Sequence, residues 1–91
     1  MPTSVRKMDQ LLVNELGFTR RTGRHQIYVL ELGGRQVVRT LISHGAREIS
    51  DDLLSTMAQQ MGVRTPELKK LLAGELSRAA YLDILHERGI A

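Results

Sequence analysis

Two consecutive glycines, Gly33 and Gly34, constrain the fold of this chain more than any other pair of residues. They separate two runs of aliphatic and β-branched residues, 25–32 and 35–42. A two-residue glycine loop suits the primed turns that join antiparallel strands, because those turns need positive φ. The sequence therefore predicts a β-hairpin in which Leu32 lies opposite Arg35.

Regular pairing from that turn predicts the register of the whole hairpin. On one face Leu30 lies opposite Val37 and Tyr28 opposite Arg39. The other face pairs Val29 with Val38, Ile27 with Thr40 and His25 with Ile42. Both faces carry apolar residues, and we favour the one with Ile27, Val29, Val38 and Ile42 as the core face. Tyr28 is then expected beside Arg39 on the more exposed face.

The remaining segments predict helices on both sides of the hairpin. Apolar residues recur at helical spacing over 4–16, and Gly17 is a suitable C-terminal stop. A short strand is expected over 18–22, before Gly23. Ser50 is a good N-cap for a helix that ends at Gly62, and further helices are expected over 65–73 and 77–88. Helix, two or three strands and then helices make an α+β fold, in one domain of residues 1–91.

Composition narrows the cellular setting and the class of chemistry. Ninety-one residues make one small domain, and the chain contains no cysteine. No run is long enough to cross a bilayer, and residues 1–20 carry charges throughout. We therefore expect a cytoplasmic protein that has no membrane partner. No set of three ligands has metal spacing, and no Walker or dinucleotide motif occurs, so no metal and no other cofactor is expected.

The positive charge is concentrated in the N-terminal half. Residues 1–47 hold eight Lys or Arg against three acids, whereas residues 48–91 hold five against seven. All six basic residues between positions 20 and 47 are arginine, whose planar fork suits phosphate. A solvated basic face is the alternative interpretation. The candidate RNA-binding residues are Arg20, Arg21, Arg24, Arg39 and Arg47, together with Tyr28, which either stacks on a base or fills the sheet face.

His25 lies at a loop–strand junction, directly after Gly23 and Arg24. A histidine there is held by a sheet yet accessible, and it can move a proton near neutral pH. A neutral imidazole can accept a proton from a ribose 2′-hydroxyl, while arginine stabilises charge on the phosphate oxygens. We therefore predict that His25 is the general base of a metal-free RNA cleavage that leaves a cyclic phosphate. A capping or packing histidine is the alternative.

His44 is a candidate second histidine of the same site. It follows the third predicted strand, whose end lies beside His25 in the hairpin register. The alternative is a loop histidine bonded to a nearby carbonyl.

The order of motifs resembles that of the HicA family of toxins from toxin–antitoxin modules. The motifs are Leu16-Gly17-Phe18, then Gly23-Arg24-His25-Gln26-Ile27-Tyr28, then Ser43 to Ile49, and a helix that runs into Met61-Gly62-Val63. The resemblance covers about residues 5–63. It implies a small mRNA interferase with a double-stranded-RNA-binding-domain-like α-β-β-β-α fold, a catalytic histidine at His25 and a HicB-like antitoxin as partner.

This chain departs from the family pattern in two places. Arg24 stands where the family has serine, which places a positive charge beside the histidine. Residues 64–91 extend beyond the family-like core of 1–63 and are expected to form extra helices. Those helices are a candidate surface for homo-oligomer formation or for a partner.

Two other classes of function stay open on the sequence alone. The arginines could bind RNA or DNA without catalysis, and residues 50–72 loosely resemble a helix-turn-helix, although they carry Asp51, Asp52 and Glu67. A protein-interaction domain, whose charge serves only solubility, is the other alternative.

Overall fold

A computed structural model describes residues 3–43 and 45–91. The elements are β1 (Thr3–Ser4), α1 (Val5–Gln10), a π-helical turn (Leu11–Glu15), β2 (Thr19–Thr22), β3 (His25–Leu32), β4 (Arg35–Ser43), β5 (Glu48–Ile49), α2 (Asp51–Gln60), α3 (Thr65–Leu72) and α4 (Arg78–Glu87). Strands β2, β3 and β4 form an antiparallel sheet in that order, and β1 pairs with β5. The predicted α+β class is confirmed.

The helix predicted over 4–16 is present, but it changes from an α-helix to a π-helical turn at Leu11. Ser4 caps it, since its Oγ accepts a hydrogen bond of 3.1 Å from the backbone N–H of Lys7. The helix then widens at Leu11, whose carbonyl accepts from the N–H of Leu16 at 2.9 Å. Gly17 ends it at a φ of 79°, where a side chain would be strained.

The hairpin turns at Gly33 and Gly34 as predicted, but its register beyond the turn differs from the regular one. Leu32 pairs with Arg35 and Glu31 with Gln36. The pairing then shifts by one residue between Leu30 and Glu31, because Val37 of β4 forms a bulge that has no partner in β3. Beyond the bulge, Leu30 pairs with Val38, Tyr28 with Thr40, Ile27 with Leu41 and His25 with Ser43.

The shift overturns the expected placement of Tyr28 and Ile27. Val29 is buried, as expected, but its pairing puts it on the opposite side of the sheet from Tyr28. The inner face, which contacts the helices, carries Tyr28, Leu30, Val38, Thr40 and Ile42, all buried. Pairing also places Thr19, Arg21, His25, Ile27, Val29, Arg39, Leu41 and Ser43 on the opposite side of the sheet, called the outer face below. In the predicted register Arg39 pairs with Tyr28, and both would lie on the same face of the sheet. The bulge turns that arginine to the outer face instead.

The core lies between the inner face and the helices, and the C-terminal helices contribute to it. Leu68 and Leu71 of α3 and Tyr81 and Leu85 of α4 belong to the same buried cluster as Met8 and Leu12. The hydroxyl of Tyr81 donates to the carbonyl of Met61 at 2.8 Å, and burial raises the pKa of this tyrosine. Residues 64–91 therefore help to form the core of the molecule.

Two further observations complete the fold. Thr40, buried in the sheet, donates to Gln60 Oε1 at 2.7 Å and so ties β4 to the end of α2. In the part of the chain that the structure describes, no helix is long and apolar enough to span a membrane.

Candidate nucleic-acid interface

His25 is the first residue of β3 and is exposed at one end of the sheet. It pairs with Ser43, the last residue of β4. The carbonyl of His25 accepts from the N–H of Gly23 at 3.2 Å, which closes the turn from β2. A second turn closes beside it, because the N–H of Ala46 donates to the carbonyl of Ser43 at 3.3 Å. Arg24 lies in the first of these turns, and Arg47 directly follows the second, where its carbonyl accepts from the N–H of Val5 at 3.0 Å.

We call Arg24, His25, Ser43 and Arg47 the sheet end. All four residues are exposed. Within residues 3–43 and 45–91, the imidazole of His25 makes no hydrogen bond and no ion pair. The predicted second histidine, His44, lies outside the described residues. The sheet end therefore presents an accessible imidazole in a basic surrounding.

Arg21 and Arg39 lie on the outer face, farther along the sheet. Arg39 pairs with Val29, four residues from His25, which corresponds to roughly 13 Å along the strand. Its guanidinium is exposed and forms no ion pair with any described residue. Arg21 donates to Glu31 at 3.4 Å, but both side chains are well exposed, so this contact is weak.

Two apolar side chains lie between His25 and Arg39 on the outer face. Ile27 and Leu41 are half-buried and pair with each other across β3 and β4. Neither belongs to the core cluster or to the hydrophobic residues packed against it. They form an apolar strip that runs from the histidine toward the arginine.

Arg20 differs from the other predicted arginines because an acid neutralises it. It pairs with Tyr28 in the sheet, and its Nη1 donates to Asp9 Oδ2 of α1 at 2.8 Å. That hydrogen bond and the nearby carboxylate raise the pKa of Arg20. Arg20 therefore ties β2 to α1.

The ring of Tyr28 is buried, so it does not offer a surface on which a base could stack. The phenol donates to Asp9 Oδ2 at 2.6 Å, and Gln26 Oε1 lies 3.1 Å away. Burial, and secondly the hydrogen bond to Asp9, raise the pKa of Tyr28. Of the two roles expected for Tyr28, filling the sheet face fits its buried ring and stacking on a base does not, because the bulge turns this residue inward.

Sequence reasoning missed the junction of Asp9, Arg20 and Tyr28. A weak signal for it exists, because a buried tyrosine hydroxyl needs a polar partner. Asp9 follows the buried Met8 at the edge of the apolar side of α1 and was available as that partner. Choosing it required the strand register, which the sequence pattern did not provide. No group of three or more metal-ligating side chains comes together within the described residues.

Comparisons with known proteins gave no relative: no family model, no curated protein and no solved structure matches this chain.

Proposed function

We propose that this protein is an endoribonuclease that cleaves mRNA at the sheet end without a metal ion. The observation that carries the proposal is the exposed His25 at the start of the central strand, with Arg24 beside it and Arg47 on the adjoining loop. An imidazole in such a place can act as a base, and arginines beside it can hold a phosphate.

The reaction begins with the 2′-hydroxyl of the nucleotide whose 3′-phosphate is bound. His25 takes the hydroxyl proton as the 2′-oxygen attacks the phosphorus atom. The bond from phosphorus to the 5′-oxygen breaks, and that oxygen takes a proton from water or from His44. The products are a 2′,3′-cyclic phosphate and a 5′-hydroxyl. Arg24 and Arg47 stabilise the charge that builds on the phosphate oxygens.

The outer face extends this site. We expect Arg39 to contact a phosphate farther along the RNA, and the strip of Ile27 and Leu41 to take the apolar face of a sugar or a base. Arg20 contributes little to phosphate binding, because Asp9 neutralises its charge. Arg21 contributes to phosphate binding through its exposed guanidinium.

We further propose a relationship to the HicA toxins and regulation by a HicB-like antitoxin in the cytoplasm. Three antiparallel strands between α1 and α2 support a double-stranded-RNA-binding-domain-like core. The motif order in residues 5–63 supports the same relationship. The antitoxin would act by covering the sheet end.

A specific observation favours a second function, the binding of nucleic acid without cleavage. Catalytic histidines are commonly oriented by a hydrogen bond to one ring nitrogen. The described residues supply no such partner to His25. In a binding protein of this kind the arginines bind phosphates, and His25 contacts the nucleic acid without catalysing its cleavage.

The nature of the products separates the two functions. We expect the protein to cut an unstructured RNA in EDTA and to leave cyclic-phosphate ends. An RNA of the same sequence with 2′-O-methyl groups throughout should bind but stay intact, because it lacks the attacking hydroxyl. Binding without cleavage of either RNA would favour the non-catalytic function.

A further inference from the structure

A recess lies among the helices, apart from the sheet end. Its volume is about 300 Å³. The lining comes from β1, α1, α2 and the C-terminal end of α3, and consists of Thr3, Lys7, Leu54, Lys69, Leu72 and Ala73. The helices pack on the inner face, so the recess lies in the helical layer of the molecule and the outer face on the other layer.

The chemistry of the lining is apolar at the base and cationic at the rim. Leu54 is 2% exposed and Leu72 is half-buried, whereas Lys7 and Lys69 are exposed. None of the six lining residues is acidic. In the described part of the chain neither lysine forms an ion pair, while Arg20, Arg21 and Arg88 each have one.

Unpaired lysines are common on surfaces, where their aliphatic stems lie along apolar groups and the ammonium stays in water. These two lysines differ because they come from separate helices and flank one apolar base. The arrangement matches a ligand that carries negative charge beside an apolar group. The point charge of an ammonium suits a carboxylate, and the recess has no arginine to grip a phosphate with two hydrogen bonds.

We infer that the recess binds an acidic peptide segment of a partner protein, with one aliphatic side chain on Leu54 and Leu72 and carboxylates at Lys7 and Lys69. A volume of about 300 Å³ is at the lower limit for pockets that enclose a free small molecule. It suffices for one anchoring side chain of a peptide. The inference does not depend on the proposed nuclease activity.

The probe for this site is a blocked pentapeptide with alternating glutamate and leucine, titrated into the labelled protein and followed by amide resonances in NMR. We expect shifts at Lys7, Lys69 and Ala73 and none at His25 or Arg39. A matched peptide with lysine in place of glutamate should cause no shifts. Absence of shifts at millimolar peptide, or equal shifts with the lysine peptide, would overturn the inference.

Two neighbouring lysines of α3 provide a matched pair of variants. Lys69→Gln should weaken peptide binding several-fold, whereas Lys70→Gln, which removes the same charge from outside the lining, should leave it almost unchanged. Ala73→Glu adds a carboxylate at the recess and should abolish binding, while a dispersed spectrum shows that the fold persists. Equal weakening by the two glutamine variants would show only nonspecific attraction. If an RNA oligonucleotide shifts the recess resonances more strongly than the peptide, the site is a nucleic-acid site and the inference fails.

Discussion

The arginines of the N-terminal half differ in whether their guanidinium groups are available to bind phosphate. Arg20 is paired with Asp9, whereas Arg39 lies on the outer face without an ion-pair partner in the described residues. We predict that Arg39→Gln weakens RNA binding and lowers the salt dependence of the affinity by about one phosphate contact. Arg20→Gln should change both much less. Filter-binding titrations at several salt concentrations measure these effects, and equal losses in the two variants would contradict this division.

Tyr28 gives a second prediction at the scale of single residues. Tyr28→Phe removes the hydroxyl that donates to Asp9 and keeps the buried ring, so we expect a loss of about 1 kcal/mol in the free energy of unfolding. RNA affinity should stay the same, because the ring is not on the surface. Urea unfolding and an RNA titration on the same variant check both. A variant of unchanged stability that binds RNA poorly would show that Tyr28 contacts RNA after all.

At the scale of the elements, caps and stops were predictable because they depend on local chemistry. Ser50 caps α2 through a 3.2 Å hydrogen bond from the N–H of Leu53, as its residue type indicates. The helix end at Gly17 and the turn at Gly33–Gly34 were predictable for the same reason, because these positions have a positive φ that glycine adopts without strain. The first residue of α3 was harder to place. Threonine is a residue type that favours the cap position, but Thr65 is the first helical residue and Arg64 precedes it as the cap.

The hairpin register could not be predicted in the same way, because it depends on what each face contacts. Regular pairing from the turn places apolar residues on both faces, and no local signal marks a bulge at Val37. The bulge gathers Tyr28, Val38 and Ile42 on the inner face, so packing against the helices decides the register. The exposed position of His25 survived this error, because both registers leave it at the end of the strand.

The start of α3 carries a prediction about helix stability. Glu67 accepts a hydrogen bond from the backbone N–H of Arg64 at 2.7 Å, and this bond, with help from Arg88, lowers the pKa of Glu67. Glu67→Ala should cost about 1 kcal/mol in unfolding free energy at pH 7. Glu67→Gln keeps the cap and loses the exposed ion pair, so it should cost less.

The pH dependence of that difference has a definite sign. A carboxyl whose pKa is lowered by folding stabilises the protein above its unfolded pKa, and this contribution is lost as the pH falls through the folded pKa. The gap between wild type and Glu67→Ala should therefore shrink in acid. Urea unfolding at pH 7 and at successively lower pH measures it. A gap that stays constant into strong acid would mean that the charge of Glu67 contributes nothing.

At the scale of the whole molecule, the sheet separates two surfaces of different chemistry. The outer face and the sheet end are rich in arginine and suit a phosphate backbone, whereas the recess among the helices suits an acidic peptide. The one phenylalanine and both tyrosines of the chain are buried, so none of these rings is available for stacking on a base. RNA binding should therefore depend mainly on charge and show steep salt dependence with little preference among bases.

The most direct test of the account compares cleavage and binding in His25→Ala with those in His86→Ala. His86 is an exposed histidine near the end of α4, with its Nδ1 3.2 Å from the carbonyl oxygen of Ala91, and serves as the matched control. We predict that His25→Ala loses cleavage of an unstructured RNA in EDTA by about 10²-fold or more and keeps its RNA affinity within a few-fold. His86→Ala should match wild type in both. If His25→Ala cuts RNA as fast as wild type, or if purified wild type does not cut it at all, His25 is not a general base and the sheet end is at most a binding surface.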